Sequence, residues 1–193
     1  MFLRTALLVL RKDVAIELRS YEIVSTTAFF AAACITIFSF AFTQDDATMA
    51  MSAAGILWIA VAFSGTLALT RTFERERYGD TLKALLLAPA PRPAIYVGKL
   101  LGILALLFAT EVLIVPMVAL LFHSPLFQRP WLFLGLLVSG TIGYAAVGTL
   151  FGAMLVRVRT RDVMLPILLY PITIPGIRAG IEVTTGLLAD PID

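Results

Sequence analysis

This chain contains a succession of apolar segments, each about as long as a membrane is thick. The first, residues 23–42, contains no charged residue. A helix rising about 1.5 Å per residue over that length crosses a hydrocarbon core of about 30 Å. Four further segments follow it, residues 51–70, 97–122, 131–156 and 163–177. With 60% hydrophobic residues, the chain is too apolar for a soluble domain of its size. We therefore predict an all-α, polytopic membrane protein with a single transmembrane domain over residues 1–193.

The fifth apolar segment is the least regular of the series. It carries three prolines, Pro166, Pro171 and Pro175, each of which removes a backbone donor from a helix. The pattern predicts a kinked or broken helix whose freed carbonyls need neighbouring groups. Residues 178–193, which follow it, are predicted to be too polar to span.

Residues 1–22 have the pattern of an amphipathic helix that precedes the first span. Apolar side chains recur at spacings of three and four, whereas the basic side chains fall on another arc. The apolar set is Leu3, Leu7, Leu10, Val14, Leu18 and Tyr21, and the basic set is Arg4, Arg11, Lys12 and Arg19. Such a helix lies in the membrane interface, where its basic groups meet anionic lipid headgroups. A soluble docking helix is the alternative.

The distribution of Lys and Arg predicts the orientation in the membrane. Basic residues are frequent in the N-terminal region, in the loop 71–96 and after the fourth span, and rare in the other loops. Since cytoplasmic loops carry the excess of Lys and Arg, the N-terminus is predicted to be cytoplasmic. Five spans then place the C-terminus outside, and we expect that a sixth span is missing from this sequence.

Residues 74–89, which we call the docking segment, form the longest polar interruption of the chain. It begins with Glu74, Arg75, Glu76 and Arg77, a run too densely charged for a bilayer interior. Gly79 permits a turn, after which a short leucine-rich helix is stopped by Pro89. Its apolar face, made by Leu82, Leu85 and Leu86, suits the groove of a cytoplasmic partner. A solvated loop whose leucines rest on the headgroups is the alternative.

Few other residues are candidates for a site. Glu111 is an acid well inside the third span, where a carboxylate is costly unless it is protonated, paired or facing a polar cavity. His123, the sole histidine, lies at the outer end of that span and can in principle ligate haem iron. Lys99 is expected to extend to the cytoplasmic headgroups. Cys34 is the only cysteine, so the sequence holds no disulfide framework and no metal-ligand spacing.

No nucleotide-binding motif of the form G-x-x-x-x-G-K-[ST] occurs in the sequence. Any ATP used by this protein must therefore bind to another chain. The spans also lack paired acids and a Ser-His couple, so a membrane-embedded enzyme is the least favoured class.

The docking segment and the start of the next span resemble those of type-2 ATP-binding-cassette (ABC) exporter permeases. The matching stretch, residues 74–99, is E-R-E-R-Y-G-D-T-L-K-A-L-L-L-A-P-A-P-R-P-A-I-Y-V-G-K. Among these permeases the chain most resembles the haem exporter protein B family of bacterial cytochrome c maturation. Three further stretches carry this likeness, R-K-D-V-A-I-E-L-R-S, G-I-L-W-I-A-V-A-F-S-G-T-L-A-L-T-R-T-F and L-P-I-L-L-Y-P-I-T-I-P-G.

The resemblance implies a permease subunit in the bacterial inner membrane, without catalytic residues, metal or a cofactor of its own. It implies a separate cytoplasmic ATPase that contacts the docking segment and holds the ATP, a haem-handling membrane subunit, and haem as substrate. Pairing with that subunit or as a homodimer stays open, and no nucleic acid is implied. The sequence departs from the family in having five spans rather than six, and in Lys83, where an acidic residue is common.

Two other functions stay open from the sequence. One is an ABC exporter permease for a drug, lipid or glycan, and the other is a membrane scaffold that anchors assembly factors without transporting anything.

Overall fold

The computed structural model describes residues 2–41, 46–78, 91–156, 158 and 160–189. Every regular element in these ranges is an α-helix, as predicted. The helices are α1 Phe2–Ser20, α2 Glu22–Ala41, α3 Asp46–Tyr78, α4 Arg92–Leu121, α5 Pro130–Leu155 and α6 Arg161–Ala189. Five of them, α2 to α6, are long and apolar enough to cross a membrane. The chain is therefore a multi-pass membrane protein.

Helix α3 is the centre of the bundle. It packs against α2, α4, α5 and α6, and 72% of its apolar stretch is buried, compared with 22% for α6. Two hydrophobic clusters surround it, one containing Leu69 and Phe73, the other Leu57 and Val61. Small residues on the neighbouring helices permit this close packing, as at Gly148 beside Leu69 and Gly152 beside Phe73.

Helix α1 lies against α4 and turns sharply into α2 at Tyr21. Tyr21 has φ of 51°, the left-handed conformation that ends one helix and lets the next start in a new direction. The buried face of α1 consists of Ala6, Val9, Asp13 and Glu17. Leu3, Leu7 and Leu18 stay exposed, which leaves an apolar face available to lipid, as the amphipathic pattern predicts.

Helix α6 corrects two expectations about the fifth apolar segment. It is one helix from Arg161 to Ala189 that includes all three prolines, so the expectation of a broken helix is wrong, while the alternative of a kink stays a prediction. The helix also continues beyond residue 177, the expected end of the span. The polar residues beyond 177 are accommodated by their own partners. Arg178 and Glu182 pair one turn apart at 2.8 Å, and the Thr184 hydroxyl accepts a hydrogen bond from the Trp58 indole at 3.0 Å.

Candidate functional site

The docking segment is described only at its start. Residues 79–90 lie outside the described residues, and with them Gly79, Leu82, Leu85, Leu86 and Pro89 of the predicted ATPase contact. The described part, from Glu74 to Tyr78, continues α3 without interruption beyond the predicted end of the span at residue 70. The chain resumes at Pro91, directly before α4 begins at Arg92. Two long helices thus flank the segment in the sequence, α3 before it and α4 after it.

The four charged residues that open the docking segment do not all point the same way. Arg77 is exposed, and the half-buried Glu74 accepts a hydrogen bond from Arg71 at 3.3 Å. Arg75 and Glu76 instead turn toward α1, and Glu76 is only 4% exposed. Arg75 and Glu76 are therefore paired with α1, Glu74 is paired with Arg71 of its own helix, and Arg77 is the exposed member of the four.

The inward-facing charges belong to a group that we call the ionic cluster, made by Lys12, Asp13, Glu17, Arg75, Glu76 and Lys99. Lys99 lies at its centre, with its ammonium group 2.6 Å from Asp13 Oδ2 and in direct contact with Glu76 Oε1. Lys12 lies 2.9 Å from Asp13 Oδ1 and 3.3 Å from Glu76 Oε1. Arg75 donates to Glu17 Oε2 at 3.1 Å. Three acids and three bases thus balance one another where α1, α3 and α4 meet.

Glu17 has a second role in the same cluster. Its Oε1 atom accepts a hydrogen bond from the backbone N–H of Val24 at 2.8 Å, near the start of α2. An acceptor at that point satisfies one of the unpaired amide groups of a helix N-terminus. Glu17 therefore links α1 to both α2 and α3.

The ionic cluster was not predicted from the sequence, and the expected position of Lys99 is wrong. Lys99 is 3% exposed and turns into the protein, because Asp13 and Glu76 offer it two carboxylates there. A signal was present in α1, where Asp13 and Glu17 are four residues apart and therefore lie on one helical face. An acidic pair in a helix whose other charges are basic indicates a buried partner rather than headgroup contact.

Glu111 lies between α4 and α5, away from the ionic cluster. It is 4% exposed, and its Oε1 accepts a hydrogen bond from the Thr141 hydroxyl at 2.5 Å. The preceding residue, Thr110, points toward α2 instead, where its hydroxyl oxygen lies 3.3 Å from that of Thr27. No hydrogen-bond partner lies within reach of Glu111 Oε2 among the described side chains. Its predicted functional role stays a prediction.

His123, the predicted haem-ligand candidate, follows the C-terminal end of α4. It has φ of 46°, a left-handed conformation that often follows a helix, and its side chain is exposed. Among the described residues, no three His, Cys, Asp or Glu side chains come together as metal ligands. His123 therefore lies in the loop that follows α4, and its role as a haem ligand stays a prediction.

A cavity of about 310 Å³ lies between α3, α5 and α6. Trp58, Tyr144 and several small residues, among them Gly143 and Gly176, line it. Its polar groups are bonded within the protein, since Tyr144 donates to the Ala62 carbonyl at 2.7 Å and Trp58 donates to Thr184. The cavity is therefore an apolar space beside the central helix.

Comparison with known proteins decides the family. The sequence model of the CcmB protein family matches residues 4–190, nearly the whole chain. The chain belongs to the CcmB protein family. Two similar proteins, each named "Heme exporter protein B", come from Rhodobacter capsulatus and Paracoccus denitrificans. Both are 30% identical, over 148 residues (77% of this chain and 67% of the relative) and 155 residues (80% and 70%), respectively. A protein of the same name from Escherichia coli is 28% identical over 94 residues, 49% of this chain and 43% of the relative.

The family predicted from the quoted stretches is thereby confirmed. The match includes α1, the start of the docking segment and all five spans. The ionic cluster and Glu111 consequently lie within the region that defines this chain as a member of the family.

Proposed function

We propose that this chain is the membrane permease subunit of an ABC haem exporter that acts in cytochrome c maturation. The observation that carries the proposal is membership of the CcmB protein family over residues 4–190. The relatives named as haem exporters and the five apolar helices support it. The chain acts as a permease and is not itself an enzyme.

In this proposal ATP is bound and hydrolysed by a separate cytoplasmic subunit. The support is the lack of a phosphate-binding motif in the sequence, together with a docking segment held by the ends of α3 and α4. Closure of the ATPase moves the docking segment, and the two attached helices carry that movement into the membrane. Haem is the cargo, a second membrane subunit handles it, and the protein lies in the bacterial inner membrane with its N-terminus in the cytoplasm.

The first test is a haem-stained gel of membranes from a strain that lacks this gene, with and without a complementing copy. We expect all covalent c-type haem to disappear and to return with the copy. Unchanged c-type cytochromes would remove haem from the function and leave an exporter of another substrate or a scaffold. Measuring substrate transport would then separate those two.

The ATPase contact needs a separate test that avoids the ionic cluster. Charge reversal at Arg75 or Glu76 breaks pairs within the chain, so it does not report on a partner. Single cysteines at Leu82, Leu85 or Leu86, in a Cys34→Ser background, are expected to cross-link to the ATPase. Phe127→Cys, exposed in the loop after α4, is the matched control. If the three leucine positions behave like Phe127, the docking segment is not the contact.

A further inference from the structure

Helix α1 is joined to both sides of the docking segment. Its residue Lys12 pairs with Glu76 and its residue Glu17 with Arg75, both on α3 just before residues 79–90. Its residue Asp13 pairs with Lys99, which lies in the first part of α4 after them. Lys99 also contacts Glu76, so the two flanks are tied to each other as well as to α1. A helix remote from the docking segment in the sequence thus bridges its two ends.

Burial makes these ties sensitive to displacement. Asp13, Glu76 and Lys99 are 7%, 4% and 3% exposed, so water does not replace a lost partner at these positions. Separating such a pair leaves an uncompensated buried charge, which is far more costly than separating an exposed pair. Sliding α1 along α3 or α4 is therefore opposed by several buried contacts at once.

Helices α1 and α4 also pack so closely that little space remains between them. A Cβ atom placed on Gly98 would lie 2.7 Å from the Ala6 carbonyl oxygen and 2.7 Å from Val9 Cβ. One on Gly102 would lie 3.2 Å from Asp13 Oδ2. Glycine at these two positions lets the helices approach closely, which places the Asp13 carboxylate within reach of Lys99.

We propose that α1 is a transmission strut, which moves as one rigid body with the C-terminal end of α3 and the N-terminal part of α4 when the docking segment is displaced. The inference rests on the proposed function, because it supplies the path by which ATPase closure acts on the spans. The interfacial helix then takes part in coupling, in addition to anchoring the protein at the membrane surface. The ionic cluster holds the moving body together.

The first test neutralises Asp13, Glu76 and Lys99 together, because Lys99 contacts both acids and none of the three is then left as a buried charge without its partner. The variant Asp13→Asn, Glu76→Gln, Lys99→Met keeps the pair between Arg75 and Glu17, and it leaves Lys12, whose side chain reaches water. Its control is Arg178→Gln, Glu182→Gln, which removes an exposed ion pair from α6. Membrane content and co-purification of the ATPase are measured first, followed by ATP turnover and covalent c-type haem.

We expect the triple variant to reach the membrane and to bind the ATPase, and its c-type haem to fall about tenfold for the same ATP turnover. The control variant is expected to match the wild-type protein. An amount of covalent c-type haem in the triple variant equal to that in the wild-type protein would contradict the proposed strut. If the triple variant does not accumulate in the membrane, the strut is tested by the distance measurement described next, which uses protein with an unchanged ionic cluster.

The second test measures rigidity directly in the complex with its ATPase and does not depend on haem. Spin labels on Ala15→Cys and Arg71→Cys, in a Cys34→Ser background, report the distance from α1 to α3, and labels on Ala15→Cys and Met154→Cys report the distance to α5. All three positions are exposed. We expect trapping of ATP to leave the first distance unchanged and to alter the second. A change in the first distance, or in neither, would overturn the strut.

These outcomes separate the strut from the proposed function. Loss of c-type haem on gene deletion together with a flexible α1 contradicts only the strut. Unchanged c-type haem on deletion together with a rigid α1 contradicts only the haem assignment, and the strut then serves another exporter.

Discussion

Buried charges on single side chains are handled in two different ways in this protein. Asp13, Glu76 and Lys99 are compensated by opposite charges, as expected for ions removed from water. Glu111 has a neutral hydroxyl, that of Thr141, as its hydrogen-bond donor. An ionised carboxylate at membrane depth is costly when its partner is a neutral hydroxyl.

The first prediction follows for Glu111. Glu111→Gln keeps an uncharged oxygen that accepts from Thr141, so we expect its thermal stability in detergent to stay near the wild-type value. Glu111→Ala removes the acceptor and leaves a void between α4 and α5, and we expect a loss of about 2–4 kcal/mol. The two variants are compared by thermal unfolding of the purified protein and by covalent c-type haem in membranes. Equal destabilisation by both would show that the amide of Gln does not replace the carboxyl group in the contact with Thr141.

The same experiment decides between structure and function at this position. If Glu111→Gln folds normally but abolishes c-type haem, the function requires the carboxyl group itself and not only its hydrogen bond to Thr141. If it folds normally and supports c-type haem, the residue is a hydrogen-bonding link between two helices.

At the scale of helices, the sequence predicts what depends on local pattern. The apolar segments, the amphipathic pattern of α1 and the interruption after α3 all depend on local composition, and the five spans are confirmed. The length of α6 was mispredicted because Arg178 and Glu182 are polar in sequence yet pair with each other one turn apart. Asp13 and its partner Lys99 lie 86 positions apart in the sequence, so only the packing of α1 on α4 reveals that they meet.

Glycines in the spans provide the second prediction, because their surroundings differ sharply. A Cβ on Gly65 would lie 2.6 Å from Tyr144 Cε1, and that ring is held because its hydroxyl donates to the Ala62 carbonyl and shares a hydrogen bond with the Thr66 hydroxyl. We expect Gly65→Ala to destabilise the protein by about 1–3 kcal/mol. A Cβ on Gly143 meets nothing within 4 Å, so Gly143→Ala should stabilise α5 by about 0.5–1 kcal/mol.

Thermal unfolding of the two variants in the same detergent measures this difference. Gly135→Ala, also in α5 with open space at its Cβ, is the control and should behave like Gly143→Ala. Unfolding curves of Gly65→Ala and Gly143→Ala that shift in the same direction would show that α3 and α5 are not packed as described.

The whole molecule has two chemically different ends. At one end the ionic cluster joins α1, α3 and α4, and Arg4, Arg11 and Arg19 are exposed on α1 beside it. At the other end, the connection between α4 and α5 has Arg129 as its basic residue. This asymmetry predicts that the cluster end faces the cytoplasm, where basic residues concentrate. The strut and the ATPase contact both require that orientation.

Labelling of single cysteines tests the orientation of the whole bundle. In a Cys34→Ser background, Ser20→Cys at the end of α1 and Phe127→Cys in the α4–α5 connection are both exposed. A maleimide that does not cross the inner membrane is added to spheroplasts. We expect Phe127→Cys to react at once and Ser20→Cys to react only after the membrane is disrupted, because α4 alone separates the cluster end from that connection. The Cys34→Ser protein should stay unlabelled. Immediate reaction of Ser20→Cys together with protection of Phe127→Cys would show the opposite orientation in the membrane. The docking segment would then lie outside the cytoplasm, and a cytoplasmic ATPase could not contact it.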